Sequence, residues 1–572
     1  MHKILAIIFV SLVNFGCQTS NKVILATNNR EDKSTVESTG KKFAISTQGR
    51  YASIAAKDIF TQGGNIIDAA VAASFVISVE RPQSTGIGGG GFMVFRQKDG
   101  KSFAIDFRER APLKATRNMY IRNGKGDTQI SQEGILASAT PGLVAGLIEI
   151  HKKFGSLPLK AVMQPSIDLA EKGFPVYPYL SEALQDTMEV LKKDAEAKKI
   201  FLDANGNPWP LGHILVQKDL AQTLRLISEN GSKEFYQGST AKKITSFFAK
   251  EKGLITQKDL SAYKVKWRKP VQGKFHDYDV ISMPPPSSGG IHVIQFLSFL
   301  EKDELKKKGI LSTESIHLAA SSLQSAFADR AKYPGDPDFV KVPTEELISP
   351  KYNEQRRKEV TLDKARKADQ VNFGVPSYNE STETTHLSIM DEEGNAVSTT
   401  QTINGWFGSA QVVPGTGIVM NNEMDDFSIQ PGVANLFGAI GGTSNAIAPK
   451  KTPLSSMSPT IIVKDGKAVM SLGAPGGTRI ISCVAQTILN YVEYGLSLKD
   501  SVSMIRYHHQ WKPDVLTIDP PGPSSKVLAD LQKMGYDIKL EHVPCHVMAV
   551  SKEDGILRAV ADPRDIGVGL AQ

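Results

Sequence analysis

Glu383-Thr384-Thr385-His386 is the stretch whose residue types best fit covalent chemistry. A threonine hydroxyl is a weak nucleophile until a nearby base takes its proton and neighbouring hydrogen bonds fix its direction. The residues after it supply the direction. From Thr385 to Met390 polar and apolar side chains alternate, Asp391-Glu392-Glu393-Gly394-Asn395 interrupts, and a Thr- and Val-rich pattern resumes from Ala396 to Asn404. That predicts a β-hairpin with a glycine-containing loop. If Met390 pairs with Ala396, equal steps outward set Thr384 opposite Thr402. One face of the ribbon is then wholly polar: Thr384, His386 and Ser388 on one strand, Ser398, Thr400, Thr402 and Asn404 on the other. A purely structural strand would turn such a face to water, whereas a nucleophile would use the crowded hydroxyls for orientation. Neither His386 nor His508-His509 has a clear acidic partner in the pattern, which argues against a triad base.

Other elements must bring complementary groups to this threonine. Strands Phe92–Arg96 and Ser102–Phe107, turning at Asp99-Gly100, deliver Arg108, Glu109 and Arg110. Gly86–Gly91 is followed by a strand pattern where a phosphate loop would require a helix, so those glycines serve close backbone approach. Gly473-Ala474-Pro475-Gly476-Gly477 leads into a helix from about Thr478 and offers backbone N–H groups to an anion. Asp465-Gly466 and Asp554-Gly555 mark two further hairpins. The stretch from Thr140 to Glu251 is helical by pattern, Met283–Gly290 reads as a rigid turn and cap, and Ser349–Asn379 as a charged, mobile surface arm. Ser428–Pro449 has the length of a lid. Strand hairpins alternating with helices suggest an α+β sandwich.

With 572 residues, 41% hydrophobic and 22% charged, the chain is ordinary globular material. Its net charge of +7 is spread without a basic run, which excludes a nucleic-acid groove. Three cysteines without ligand spacing exclude a disulfide scaffold and a structural metal, and Cys483 reads as core in an apolar helix. Whether Cys483 and Cys545 pair is left open. Lys3 and the apolar run Ile4–Val13 predict an export signal over residues 1–17. Gly16-Cys17 is similar to a lipoprotein cleavage site, although Asn14 stands where an aliphatic residue is usual, so lipidation also stays open. Gln18–Lys42 reads as a flexible tether.

Thr384–Ser388, Gly394–Val397, Thr400–Asn404 and Phe407-Gly408 together resemble the signature of the gamma-glutamyltranspeptidases. The likeness runs from about Ala52 to the C-terminus through Gly88–Phe92, Asp106–Pro112, Met283–His292, Asn421–Phe427, Leu454–Thr460 and Gly473–Arg479. It implies the four-layer αββα sandwich of the N-terminal-nucleophile hydrolases, made as a precursor that cuts itself at Glu383–Thr384. The large subunit would be 43–383 and the small, catalytic one 384–572. Cleavage would free an α-amine with a pKa of about 7.7–8.0, able to act as base for the Thr384 hydroxyl. By the same resemblance Thr402 orients the nucleophile and the N–H groups of Gly476 and Gly477 hold the oxyanion. Arg108 with Ser455 and Ser456 would bind the donor's α-carboxylate, and Asp426, Glu423 and Asn404 its ammonium. Glutathione and other γ-glutamyl compounds would be donors, and water, amino acids or dipeptides acceptors, with no cofactor or metal. The enzyme would be periplasmic or a membrane-anchored lipoprotein. Some family members carry Gln in place of Glu423 and a lid tyrosine in place of Phe437, so a hydroxyl latch on the lid is not expected. The alternatives are a β-lactam side-chain (glutaryl) acylase of the same fold, against which Asp426 argues, and a non-catalytic exported γ-glutamyl peptide-binding lipoprotein, against which the Glu383-Thr384 junction argues.

Overall fold

The computed structural model describes residues 36–372, 384–430, 433, 435–436 and 442–572. Two seven-stranded, antiparallel sheets dominate it. Their strands, in chain order, are β1 (Glu37–Gly40), β2 (Phe43–Thr47), β3 (Gly90–Arg96), β4 (Ser102–Asp106), β5 (Lys266–Arg268), β6 (Val271–Phe275), β7 (Tyr278–Ser282), β8 (Thr385–Asp391), β9 (Ala396–Thr402), β10 (Thr460–Lys464), β11 (Lys467–Gly473), β12 (Met548–Glu553), β13 (Ile556–Ala561) and β14 (Val568–Ala571). One sheet runs β1-β13-β12-β11-β10-β7-β6 and the other β14-β2-β8-β9-β3-β4-β5. Helices α1 (Arg50–Thr61) and α2 (Ile66–Glu80) cover the outer face of the second sheet. Helices α3 (Gly289–Leu300), α4 (Thr313–Lys332) and α5 (Arg479–Val492) pack together over the first. The result is the expected helix–sheet–sheet–helix sandwich.

The hairpin β8–β9 has the expected register, with Met390 opposite Ala396 and Thr385 opposite Gln401. Because side chains alternate across a strand, Leu387, Ile389 and Val397 face the helices and enter their apolar core. The polar face, which a structural strand would give to water, is instead buried between the sheets. Serine hydroxyls stitch the gap: Ser398 Oγ donates to Leu472 O at 2.9 Å, Ser388 Oγ to Met548 O at 3.2 Å and Ser46 Oγ to Val560 O at 2.7 Å. His386 lies in the same layer, with Nδ1 2.8 Å from Thr400 Oγ1 and Nε2 2.9 Å from Ser388 Oγ. Burial pushes its imidazole down to about 3. Its ring rests on Gly473, where a Cβ would stand 2.3 Å from it. Only a glycine permits that approach.

Two expectations about mobile segments are corrected. The tether expected to run through Lys42 ends sooner, because Glu37–Gly40 pairs with Leu557–Val560 as an edge strand. Much of the charged arm is ordered: Pro350–Lys358 is a helix capped by Ser349 Oγ, with Asn353 and Arg356 buried. Its charges are used internally, Arg357 gripping Asp303 at 2.8 Å and Arg366 donating to Ser321 O and Ser325 Oγ. Residues 373–379 of that arm lie outside the described residues. Cys483, expected in the core, is fully buried on α5 and forms a disulfide with Cys545. The pairing escapes spacing arguments because 62 residues separate the two.

Candidate active site

Thr384 directly precedes β8 and is 5% exposed, lining a small cavity between the ends of the two sheets. Thr402 closes β9 across from it, and Thr402 Oγ1 accepts the Asn404 N–H at 2.8 Å. Asn404 itself adopts φ 73° and donates Nδ2 to Asn422 O at 3.1 Å, which turns the chain out of the strand and fixes its amide beside the cavity. The facing wall is the turn between β11 and α5. Gly476 and Gly477 have φ of 126° and 54°, values open to glycine and strained for other residues. Gly477 and Thr478 line the cavity, while Gly476 backs onto Pro544 and Cys545, so the disulfide lies directly behind this turn. Free N–H groups at the mouth of a helix suit an oxyanion.

The charged wall joins two distant stretches. Arg108 follows β4, and Glu423–Asp426 form a short 3₁₀ turn. Arg108 Nη1 lies 2.6 Å from Glu423 Oε1 and Nη2 2.5 Å from Asp426 Oδ2, all three side chains being almost fully buried. Arg108 Nε also donates to Pro453 O. Burial pushes Glu423 well above the usual carboxylate range, against the pull of Arg108, and pushes Asp426 up as well, against Arg108 and Arg330. Glu109, which the sequence reading placed at the strand end but gave no role, stands beside Glu423 and is likewise pushed up by burial.

Ser455 and Ser456 form the remaining wall. The segment Pro284–Ser288, read from the sequence as a turn and cap, is their brace: Ser455 N donates to Pro286 O, and Ser288 N and Oγ both donate to Ser455 O. Arg330, in the last turn of α4, donates Nη2 to Ser456 Oγ at 2.8 Å and lines the cavity. Sequence reasoning missed it, since a basic residue at a helix C-terminus is ordinarily explained by the helix dipole and solvent. Leu436 N donates to Asp425 Oδ2 and Asn435 Nδ2 to Asp426 Oδ1, so these two residues are tied to the acidic turn. Phe437 and Glu383 lie outside the described residues.

The structure thus brings Thr384, Thr402, Asn404, Arg108, Glu423, Asp426, Ser455, Ser456 and Gly477 to one cavity, with Gly476 just behind. His386 and His508 do not line it: His508 Nδ1 contacts Ser482 Oγ and its Nε2 contacts Gln510, and burial pushes it down to about 3. Among the described residues no group of three His, Cys, Asp or Glu side chains is placed to hold a metal ion.

A family model described as gamma-glutamyltranspeptidase matches residues 52–571. The glutathione hydrolase proenzyme of Escherichia coli is 43% identical over 528 residues, covering 91% of this chain and 91% of its own. Among solved structures, cephalosporin acylase from Bacillus halodurans superposes with a TM-score of 0.83 at 27% identity, covering 98% of this chain and 99% of that one. Helicobacter pylori gamma-glutamyltranspeptidase is 41% identical with a TM-score of 0.56, over 57% of this chain and 93% of its own.

Proposed function

This chain belongs to the gamma-glutamyltranspeptidase family, and on that premise we propose a role for each group around the cavity. The protein is a self-processing gamma-glutamyltransferase and glutathione hydrolase of the N-terminal-nucleophile type. One precursor becomes two chains, and γ-glutamyl groups pass from glutathione and related donors to water or amino-acid acceptors.

In maturation the Thr384 hydroxyl attacks the Glu383 carbonyl, and hydrolysis of the resulting ester leaves chains 43–383 and 384–572, the first preceded by the β1 segment. The freed α-amine then takes the Thr384 hydroxyl proton as the oxygen attacks the γ-carbonyl of a donor. Thr402 orients that hydroxyl, and the N–H groups of Gly476 and Gly477 receive the developing oxyanion. The amine returns the proton to the leaving nitrogen, and a γ-glutamyl ester remains on Thr384. Water or an acceptor amine attacks that ester by the reverse path. The donor's head group is a zwitterion, and it matches the charged wall: its carboxylate takes Arg108, Ser455 and Ser456, its ammonium Asp426, Glu423 and the Asn404 amide.

The observation that carries this reading is the placement of Thr384, at the head of β8, in one cavity with a buried Arg–carboxylate pair and a glycine turn at a helix mouth. The acylase reading shares the fold but fits the charged wall less well, since a glutaryl chain has no ammonium to meet Asp426 and Glu423. Turnover of γ-glutamyl and glutaryl anilides separates the two. The γ-glutamyl anilide should be cleaved at least tenfold faster in kcat/KM, and equal rates would sink the assignment of the ammonium site. Export by residues 1–17 and a lipid on Cys17 belong to the proposal too. Among the described residues no helix is long and apolar enough to cross a membrane. The mass of the mature amino terminus tests them, an acylated Cys17 being the expected result for an anchored form.

A further inference from the structure

Arg108, the cation given to the donor's carboxylate, is already engaged: both of its terminal nitrogens sit within 2.6 Å of Glu423 and Asp426. A second buried cation lines the same cavity. Arg330 Nη2 donates to Ser456 Oγ at 2.8 Å, and Nε donates to Ser288 Oγ at 3.1 Å. Ser288 Oγ in turn donates to Ser455 O at 2.8 Å. One guanidinium therefore fixes both serines of the carboxylate wall, Ser456 directly and Ser455 through Ser288. The direction of these bonds matters. An arginine can only donate, so Ser456 Oγ is an acceptor toward Arg330, and its own proton must go elsewhere. Among the described residues it meets no acceptor, which leaves that proton for an anion in the cavity. Arg330 Nη1 likewise meets no acceptor among the described residues. Lysine would not reproduce this, because Ser456 and Ser288 are reached by two nitrogens of one planar fork.

We propose that Arg330 is a positioning and specificity residue for the donor's α-carboxylate, presenting the Ser456 hydroxyl as a donor and adding the second positive charge that Arg108, tied to Glu423 and Asp426, cannot supply alone. This rests on the γ-glutamyl reading of the site and deepens it. Arg330 takes no part in bond breaking, so its loss acts on donor binding more than on the chemical step.

The test compares γ-glutamyl-p-nitroanilide with 4-aminobutanoyl-p-nitroanilide, the same donor without its α-carboxylate, in wild type, Arg330→Gln, Arg330→Lys, Ser456→Ala and the Arg330→Gln/Ser456→Ala double variant. Self-cleavage on a denaturing gel reports that each has folded. The expected result is a KM for the γ-glutamyl donor raised tenfold or more in Arg330→Gln, with kcat within threefold of wild type. Preference over the decarboxylated donor should shrink by a similar factor, and Arg330→Lys should recover part of both. The double variant should be little worse than Arg330→Gln, since Arg330 acts in part through Ser456. If Arg330→Gln fails to cleave itself, Arg330→Lys decides the matter by showing a raised KM or not. An unchanged donor preference in a self-cleaved Arg330 variant, or equal loss on both donors, overturns the proposal. Failure of wild type to prefer the γ-glutamyl donor would instead overturn the reading on which it rests.

Discussion

Thr384, Thr402 and Asn404 reach the cavity along a single hairpin, and their mutual placement follows from one register, Met390 opposite Ala396. Arg108, Arg330, Glu423, Asp426, Ser455 and Ser456 reach it from four separate stretches of chain, and their placement follows from contacts with one another. The half that carries the proposed nucleophile is held by backbone ladders that any compatible side chains would maintain. The half proposed to recognise the donor is held by buried charges, each stabilised only while its partner is present. Damage to the first should remove the chemistry, and damage to the second should remove the choice of donor while leaving the chemistry in place.

The most damaging single change is Thr384→Ala. It should leave one uncut chain with no measurable turnover, and amino-terminal sequencing of the small chain of the native protein should read Thr-Thr-His. A next, large effect concerns the wall behind the oxyanion turn. The Cys483–Cys545 bridge closes a 62-residue separation, which by chain entropy is worth about 4 kcal/mol at most. Cys483→Ser with Cys545→Ser should lower the urea midpoint accordingly, and an unchanged midpoint would mean that packing alone holds the turn. In the recognition half, Arg108→Ala or Asp426→Ala removes a charged hydrogen bond worth about 1.5–3 kcal/mol, roughly 10- to 150-fold in kcat/KM for γ-glutamyl donors. Self-cleavage should survive both changes, and its loss in either would show that the two halves are not separable.

The smallest expected effect is one of pH. Burial pushes Glu109 up to about 7. A carboxyl whose folded pKa is raised takes up a proton on folding. Its contribution is therefore fully present below the ordinary glutamate value of about 4.3 and is lost as pH rises through about 7. Stability from urea unfolding should fall between about pH 4.3 and pH 7, and Glu109→Gln should flatten that slope by up to about 1.4 kcal/mol per pH unit. An identical slope in the variant would place the titrating group elsewhere.

The nucleophile half was legible in the sequence because a strand's period of two and a glycine loop determine who faces whom over a dozen residues. What could not be read was the destination of the polar face. Serines and a histidine at alternate positions look the same whether they meet water or a second sheet, and only the pairing of Ser388 and Ser398 with carbonyls of β11 and β12 distinguishes the two. Arg108, Asp426, Ser455 and Ser456 were proposed through family likeness, not through spacing, since 345 residues separate Arg108 from the Pro453 carbonyl it binds. Arg330 and Glu109 carry no local signal at all: each acquires its meaning from a partner far along the chain. The charged arm was misread for a related reason, as Arg357 and Arg366 look solvated until Asp303 and Ser321 are placed beside them.

The strand order has a consequence for what maturation can release. In one sheet the strands read β14, β2, β8, β9, β3, and in the other β1 pairs with β13 and β10 with β7. A cut before Thr384 assigns β1 to β7 to one product and β8 to β14 to the other, so each product's strands lie between those of its partner. Neither half possesses a complete sheet. The cleaved pair is then a single folding unit with an extra pair of termini: parting the products means unzipping both sheets, and dilution alone gives no route to a free, folded subunit.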